Sequence, residues 1–124
     1  MKYFSSEFFG ELAQRLNADA EWKKRAEGLT TKITLTVTDR GWSYLIEVTN
    51  GTVGARATKP DDPADFKFEG PYDVWQKIAA GQSDFNTAVM TGKMKFRGSL
   101  PRIMGMQPQM TRLTQVAKGI PAEV

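Results

Sequence analysis

Apolar residues near the N-terminus recur at intervals of four, which predicts a helix with one buried face. They are Phe8, Leu12 and Leu16. Ser5 or Ser6 can cap this helix, and Asp19 can cap a second short helix that ends near Gly28. We therefore expect the chain to begin with two consecutive helices.

From Thr31 the apolar period changes from four to two, which indicates strands with one buried face. Three alternating sets predict three strands: Ile33, Leu35 and Val37; Trp42, Tyr44, Ile46 and Val48; and Val53, Ala55 and Ala57. Asn50-Gly51 is a residue pair favoured in a two-residue type I′ hairpin turn. After a proline-containing segment, Phe66 and Phe68 predict a fourth strand.

The remaining chain alternates between helical and extended patterns. A stripe of Val74, Trp75 and Ile78 predicts a helix, and a second helix is expected between Ser83 and Gly92. A fifth strand should point Met94 and Phe96 to one face and Lys93, Lys95 and Arg97 to the other. The order of elements predicts an α+β fold: a five-stranded, mostly antiparallel sheet with helices on one face. The length suits one domain spanning residues 1–124.

The last predicted helix carries apolar residues at helical spacing but also two residues that weaken helices. The apolar stripe comprises Ile103, Met106, Met110, Leu113 and Ala117. Gly105 and Pro108 lie within it, which predicts a kink or weak point. Because methionines surround this point and repack easily, we predict that the helix opens as a gate.

Composition excludes several kinds of chemistry. The chain has no cysteine and no histidine, which removes disulfides, thiolate nucleophiles, histidine dyads and most transition-metal sites. We therefore expect no catalytic residues and no metal or other cofactor. No apolar run approaches the roughly 20 residues that span a bilayer, and acids interrupt the N-terminal segment, so we expect a cytoplasmic protein.

Charge is unevenly distributed along the chain. The formal net charge is +3, and residues 85–122 contain six basic residues and no acid. We predict that this region contacts an anionic membrane or head group through five candidates: Lys93, Lys95, Arg97, Arg102 and Arg112. A solvated basic face is the alternative. We expect no nucleic-acid partner, because Phe96 should point away from the neighbouring lysines.

Two stretches together resemble the sterol carrier protein type 2 family. In the first, Gly92-Lys93 precedes an alternating strand, and Gly98 leads into an apolar helix. In the second, the strand Phe66 to Glu69 is followed by the helix of Trp75 and by Gly81. The resemblance extends across most of the chain.

This resemblance implies a non-enzymatic lipid carrier with an apolar tunnel between the sheet and the C-terminal helix. The occupant would be a sterol, a fatty acyl chain, acyl-CoA or an isoprenoid-like chain. Carried onto this sequence, the tunnel lining would comprise Trp75, Ile78, Phe85, Met90, Met94, Phe96, Ile103, Met104, Met106, Met110 and Leu113. Three alternatives remain: an accessory protein that presents an apolar substrate of quinone or acyl-CoA metabolism to a partner enzyme, a small enzyme, and methionines that serve only as core.

Overall fold

The computed structural model describes residues 1–123 as an α+β fold. The helices are α1 (Ser6–Ala18), α2 (Ala20–Arg25), α3 (Tyr72–Ala79), α4 (Phe85–Met90), α5 (Leu100–Met104) and α6 (Gln107–Lys118). The strands are β1 (Thr31–Val37), β2 (Trp42–Thr49), β3 (Thr52–Ala57), β4 (Phe66–Gly70) and β5 (Lys95–Arg97). The predicted order of elements is confirmed up to the last helical region.

The five strands form one sheet in the order β3-β2-β1-β4-β5. β1 pairs parallel with β4, whereas the other three pairings are antiparallel, which confirms the mostly antiparallel sheet. The register aligns Leu35 with Tyr44 on one side and Phe68 on the other. Because side chains of paired residues share a face, these apolar residues form one continuous surface, which the helices cover.

Local sequence signals explain where several elements begin and turn. The Ser5 hydroxyl accepts from the Phe8 amide, and an Asp19 carboxylate oxygen accepts from the Trp22 amide, so both predicted caps are present. Asn50 and Gly51 have φ of 48° and 84°, as a type I′ turn between β2 and β3 requires.

The second face of the sheet is buried without a helix. Thr34, Thr36, Ser43 and Leu45 point to this face and are each at most 4% exposed. Since β2 and β1 lie between β3 and β4, residues 58–65 must cross the sheet to connect them. Lys67 Nζ, on the same face as its partner Thr34, donates to the Pro60 carbonyl of this segment at 2.8 Å. The connection therefore covers the polar face.

The C-terminal region differs from the predicted single helix. It forms two helices, α5 and α6, which separate at Gly105 and Met106. Pro108 lies in the first turn of α6, where its missing N–H group has no helical acceptor, so it starts a helix and does not kink one. The prediction of Pro108 as a mid-helix weak point is therefore wrong.

Candidate functional site

An apolar cavity of about 340 Å³ lies between the helical layer and the sheet and is partly open to solvent. Its lining comes from α1, α3, α4, α6, β1 and both ends of the described chain. The apolar lining residues are Tyr3, Phe4, Phe8, Phe9, Leu12, Leu35, Trp75, Ile78, Ala79, Ala80, Phe85, Leu113, Ala117, Ile120, Pro121 and Ala122. Gln76, Thr114 and Lys118 add the remaining polar groups.

The two ends of the described residues 1–123 pair with each other beside this cavity. Lys2 and Glu123 form an isolated parallel bridge. The Tyr3 amide donates to the Glu123 carbonyl and the Glu123 amide donates to the Met1 carbonyl, both at 2.9 Å. These bonds fix Tyr3 and the segment 120–122 as neighbouring parts of one wall.

Trp75 anchors the inner part of the cavity. Its indole Nε1 donates to the carbonyls of Thr36 at 2.9 Å and Gly70 at 3.1 Å, so the ring is held against the sheet. Phe4 and Phe85 pack on the indole with ring centroids 5.1 and 5.8 Å away. The indole N–H is therefore hydrogen-bonded within the protein, and the ring presents an apolar surface toward the cavity.

Tyr3 contributes a phenol whose polar atom is already occupied. Its hydroxyl donates to the Trp75 carbonyl at 3.1 Å. Burial, followed by the charge of Tyr72, raises the pKa of the Tyr3 phenol far above its ordinary value. The group is therefore neutral at physiological pH and adds no charge to the cavity.

The mouth of the cavity lies between the ends of α3 and α6. The exposed lining residues are Ala80, Lys118 and Pro121. Lys118 is the only charged residue among the described residues that line the cavity. The interior is thus apolar and the single charge lies at the opening.

The structure separates the eleven predicted tunnel residues into three groups. Trp75, Ile78, Phe85 and Leu113 line the cavity. Met94, Phe96, Ile103, Met106 and Met110 belong to the core or pack against it but do not line the cavity. Met90 and Met104 are 86% and 65% exposed, so the prediction that they line an enclosed tunnel is corrected. A direct role of any of these residues in binding stays a prediction.

The predicted gate does not border the cavity. The break at Gly105 separates α5 from α6, whereas the α6 residues at the cavity begin at Leu113, two turns later. Neither Gly105 nor Pro108 is a lining residue.

Two of the five predicted basic contacts are held in ion pairs. Arg97 Nε lies 3.0 Å from a Glu69 carboxylate oxygen. Arg112 makes two hydrogen bonds to Asp19, at 2.6 and 2.9 Å, and so ties α6 to the start of α2. The Arg112 guanidinium, with the Trp22 amide, lowers the pKa of the Asp19 carboxyl to about 2. Arg97 and Arg112 therefore have carboxylate partners within the fold, and their role as head-group contacts stays a prediction.

The other three basic residues, Lys93, Lys95 and Arg102, are exposed. Lys95 pairs with Glu69 and therefore points to the second face of the sheet, whereas Arg102 lies on α5 between the exposed Leu100 and Met104. We call the exposed side chains of α5 the α5 surface: Leu100, Arg102 and Met104. Leu100 and Met104 are one helical turn apart on α5. Asn86 and Gln107 exchange side-chain hydrogen bonds of 3.2 and 3.0 Å, which hold α4 beside the α5–α6 junction. The start of α4 thus lies beside the α5–α6 junction, and the exposed Met90 follows Asn86 by one turn.

Sequence reasoning missed the contribution of the N-terminal segment. The stripe of α1 indicated a buried face, but nothing in its spacing said that Phe8 and Leu12 would face α6 across a cavity. The aromatic run Tyr3-Phe4 before the helix was the available signal. The role of the segment 120–122 depends on its pairing with the N-terminus, which no local pattern specifies.

The fold and the cavity define a class of small α+β proteins with an apolar interior site and no charged group inside it. Residues 9–110 match the SCP-2 sterol transfer family, and the chain belongs to that family. No curated protein matches this sequence.

Solved structures support the same fold. The chain superposes on a crystal structure of sterol carrier protein 2 with a TM-score of 0.85 and 20% identity, covering 97% of this chain and 100% of that one. It is also similar to a UbiJ-SCP2 ubiquinone synthesis protein, with a TM-score of 0.63, 16% identity and coverage of 90% and 93%. The palmitate complex of Sterol Carrier Protein-2 from Aedes aegypti gives a TM-score of 0.58, 20% identity and coverage of 89% and 96%.

Within the described residues, every helix is too short or too polar to cross a membrane.

Proposed function

We propose that this protein is a non-enzymatic lipid carrier that holds an acyl or similarly slender apolar chain in the cavity beside Trp75. The observation that carries the proposal is the cavity itself, which joins apolar side chains from seven parts of the fold. Membership of a sterol transfer family and the similarity to a palmitate-binding protein support it. The volume of about 340 Å³ is at the lower end of the range for small-molecule sites, which favours a single chain over a bulkier ligand.

Titration with a fatty acid and with a sterol tests this function. Trp75 lines the cavity, so its emission should change when a ligand binds, and a Trp42→Phe background removes the signal of an exposed indole. If neither ligand binds at tens of micromolar, which corresponds to about 6 kcal/mol of binding free energy, the proposal is refuted.

A steric variant locates the site. Ala117 lines the cavity on α6, whereas Thr111 is exposed on the same helix. Ala117→Phe should fill part of the cavity and abolish binding, and Thr111→Phe should leave binding unchanged. Equal affinities in the two variants would place the ligand elsewhere.

We propose further that the protein exchanges its ligand at an anionic membrane through the α5 surface. Arg102 is exposed and forms no ion pair within residues 1–123, and its guanidinium lies 5.3 Å from the centroid of the Phe66 ring. Lys93, in the turn after α4, is also exposed and takes part in none of the ion pairs of the described residues. Leu100 and Met104 supply apolar side chains that can enter the interface between head groups and acyl chains. Each basic residue near such a surface contributes about 1 kcal/mol, screened by salt.

Vesicle sedimentation separates the contribution of the basic residues to membrane binding from that of the apolar residues. Binding should be stronger to vesicles containing phosphatidylserine than to pure phosphatidylcholine, and Lys93→Gln with Arg102→Gln should remove that difference. Leu100→Ser with Met104→Ser should weaken binding to both. The exposed pair Lys23 and Lys24 on α2 provides a matched control when changed to glutamine. Equal binding of the wild type to both vesicles would show that the basic residues are only solvated and do not bind anionic lipid.

The second candidate function is an accessory role, in which the cavity presents an apolar substrate to a partner enzyme. The similarity to a ubiquinone synthesis protein favours this candidate. Native mass spectrometry of protein purified from its host distinguishes the two: a retained fatty acid or phospholipid supports the carrier, and a retained isoprenoid quinone precursor supports the accessory role.

A further inference from the structure

Lys118 combines three properties that no other residue of the cavity has. It lies in the last turn of α6, it is exposed at the mouth, and within residues 1–123 it carries the only charge of the lining. Apart from Gln76 and Lys118, every residue of the lining is apolar or has its side-chain polar atom hydrogen-bonded within the protein. A chain that enters the cavity would therefore leave its head group beside this ammonium.

The position of the ammonium is defined by the two neighbouring helix ends. Lys118 Nζ lies 3.5 Å from the point that a Cβ would occupy at Gly81, directly after α3. The C-terminal ends of α3 and α6 carry partial negative charge, which attracts the ammonium to the opening. Partial charges of helix ends position a full positive charge but do not neutralise it.

No carboxylate competes for this ammonium within the described part of the chain. The lining contains no acidic residue, and the ion pairs among residues 1–123 do not include Lys118. Gln76 is half-buried in the lining on α3, and its amide can donate a second hydrogen bond near the same opening. The mouth thus offers one cationic and one neutral donor to an anionic group.

We infer that Lys118 binds the head group of the ligand and makes a long-chain carboxylate the preferred occupant over a neutral lipid with the same chain. The chain lies toward Trp75 and the carboxylate lies between the ends of α3 and α6. This inference rests on the proposed carrier function and specifies the orientation and the chemical class of its ligand.

The test compares laurate with lauryl alcohol, which has the same chain and a neutral head group. Binding is measured by tryptophan emission in the Trp42→Phe background and checked by calorimetry. In the Lys118→Gln variant the affinity for laurate should fall roughly five- to tenfold, less than for a buried charged pair because the mouth is open to water. The affinity for the alcohol should change less than about twofold.

Two further variants separate head-group binding from a structural role. Lys118→Arg keeps the charge and should retain most of the laurate affinity. Lys77→Gln removes an exposed charge from α3 outside the cavity lining and should change neither ligand. Thermal unfolding of each variant shows whether the fold is intact, and Lys118→Arg provides the comparison if Lys118→Gln unfolds.

Each outcome has a defined meaning. Equal weakening of laurate and alcohol in Lys118→Gln would show that Lys118 only supports the helix ends, and unchanged laurate affinity would place the head group elsewhere. Either result overturns the inference and leaves the carrier function standing. Failure of the wild type to bind either ligand would overturn the carrier function itself.

Discussion

Gly105 and Gly98 flank α5, and alanine should have opposite effects at these two positions. Gly105 has φ of −68° and ψ of −14°, a conformation that alanine adopts without strain. A Cβ there would lie 3.4 Å from the Arg102 carbonyl oxygen and 3.6 Å from the Pro101 carbonyl oxygen, which is ordinary contact. Gly105→Ala should therefore stabilise the protein by about 0.4 to 1 kcal/mol, because alanine has fewer unfolded conformations to lose.

Gly98 is the destabilising counterpart. Its φ is +135°, and a Cβ would lie 2.7 Å from the Asp65 carbonyl oxygen and 2.9 Å from Cδ1 of Phe66. Backbone strain of this kind costs about 1 to 3 kcal/mol, and relief of the contact requires β4 or the preceding segment to shift at further cost. Gly98→Ala should therefore lose at least about 2 kcal/mol.

Thermal unfolding followed by circular dichroism measures both effects. For a chain of this size, Gly105→Ala should raise Tm by roughly 1 to 5 °C, and Gly98→Ala should lower it by roughly 6 °C or more. A lower Tm for Gly105→Ala, or an unchanged Tm for Gly98→Ala, would contradict the backbone geometry around α5. Because the Gly105 break is remote from the cavity, ligand affinity should be unchanged in Gly105→Ala. A large change in affinity would restore the gate hypothesis.

Two other predictions concern contacts that join distant parts of the chain. The pKa of Asp19 is about 2 in the folded protein and about 4 when unfolded, so its pair with Arg112 should stabilise the fold above pH 4 and lose that contribution as pH falls toward 2. Asp19→Asn keeps a helix cap but should remove this part of the pH dependence of the urea midpoint, and an unchanged slope would refute the assignment. Trp75→Phe should destabilise the protein by about 1 to 3 kcal/mol, because the buried carbonyls of Thr36 and Gly70 lose their indole donor. A urea midpoint equal to that of the wild type would show that neither bond contributes.

Short-range sequence signals predicted the local structure correctly wherever one residue sets the backbone conformation or one face of an element is buried. Ser5 and Asp19 cap helices as predicted, and Asn50 with Gly51 forms the expected hairpin turn. Alternation of apolar residues located the first four strands because a strand that covers a core must present every second side chain to it. The resemblance of the stretch around Gly92 and Gly98 to a known family was also contained in the sequence.

At the junction of α5 and α6 each local signal was correct, but the prediction of one kinked helix was wrong. Gly105 does end a helix, and Pro108 does sit where prolines are tolerated, but the stripe of apolar residues continues through both helices. Periodicity alone cannot distinguish one kinked helix from two short ones, because both place the same residues against the core. Met90 on α4 and Met104 on α5 lie on the exposed sides of their helices.

Sequence by itself determined the helical and extended segments, the class of fold and the acid-free charge of residues 85–122. Tertiary structure decided which apolar residues surround a cavity and which basic residues remain available. Met94 and Met110 pack in the core while Phe8 and Leu113 face a shared space, although all four are equally apolar in sequence. Arg112 is neutralised by Asp19, 93 residues earlier, whereas Lys118 is left at the mouth of the cavity. The physical reason is that local patterns fix backbone conformation, whereas cavities and ion pairs depend on long-range packing between elements that are far apart in the chain.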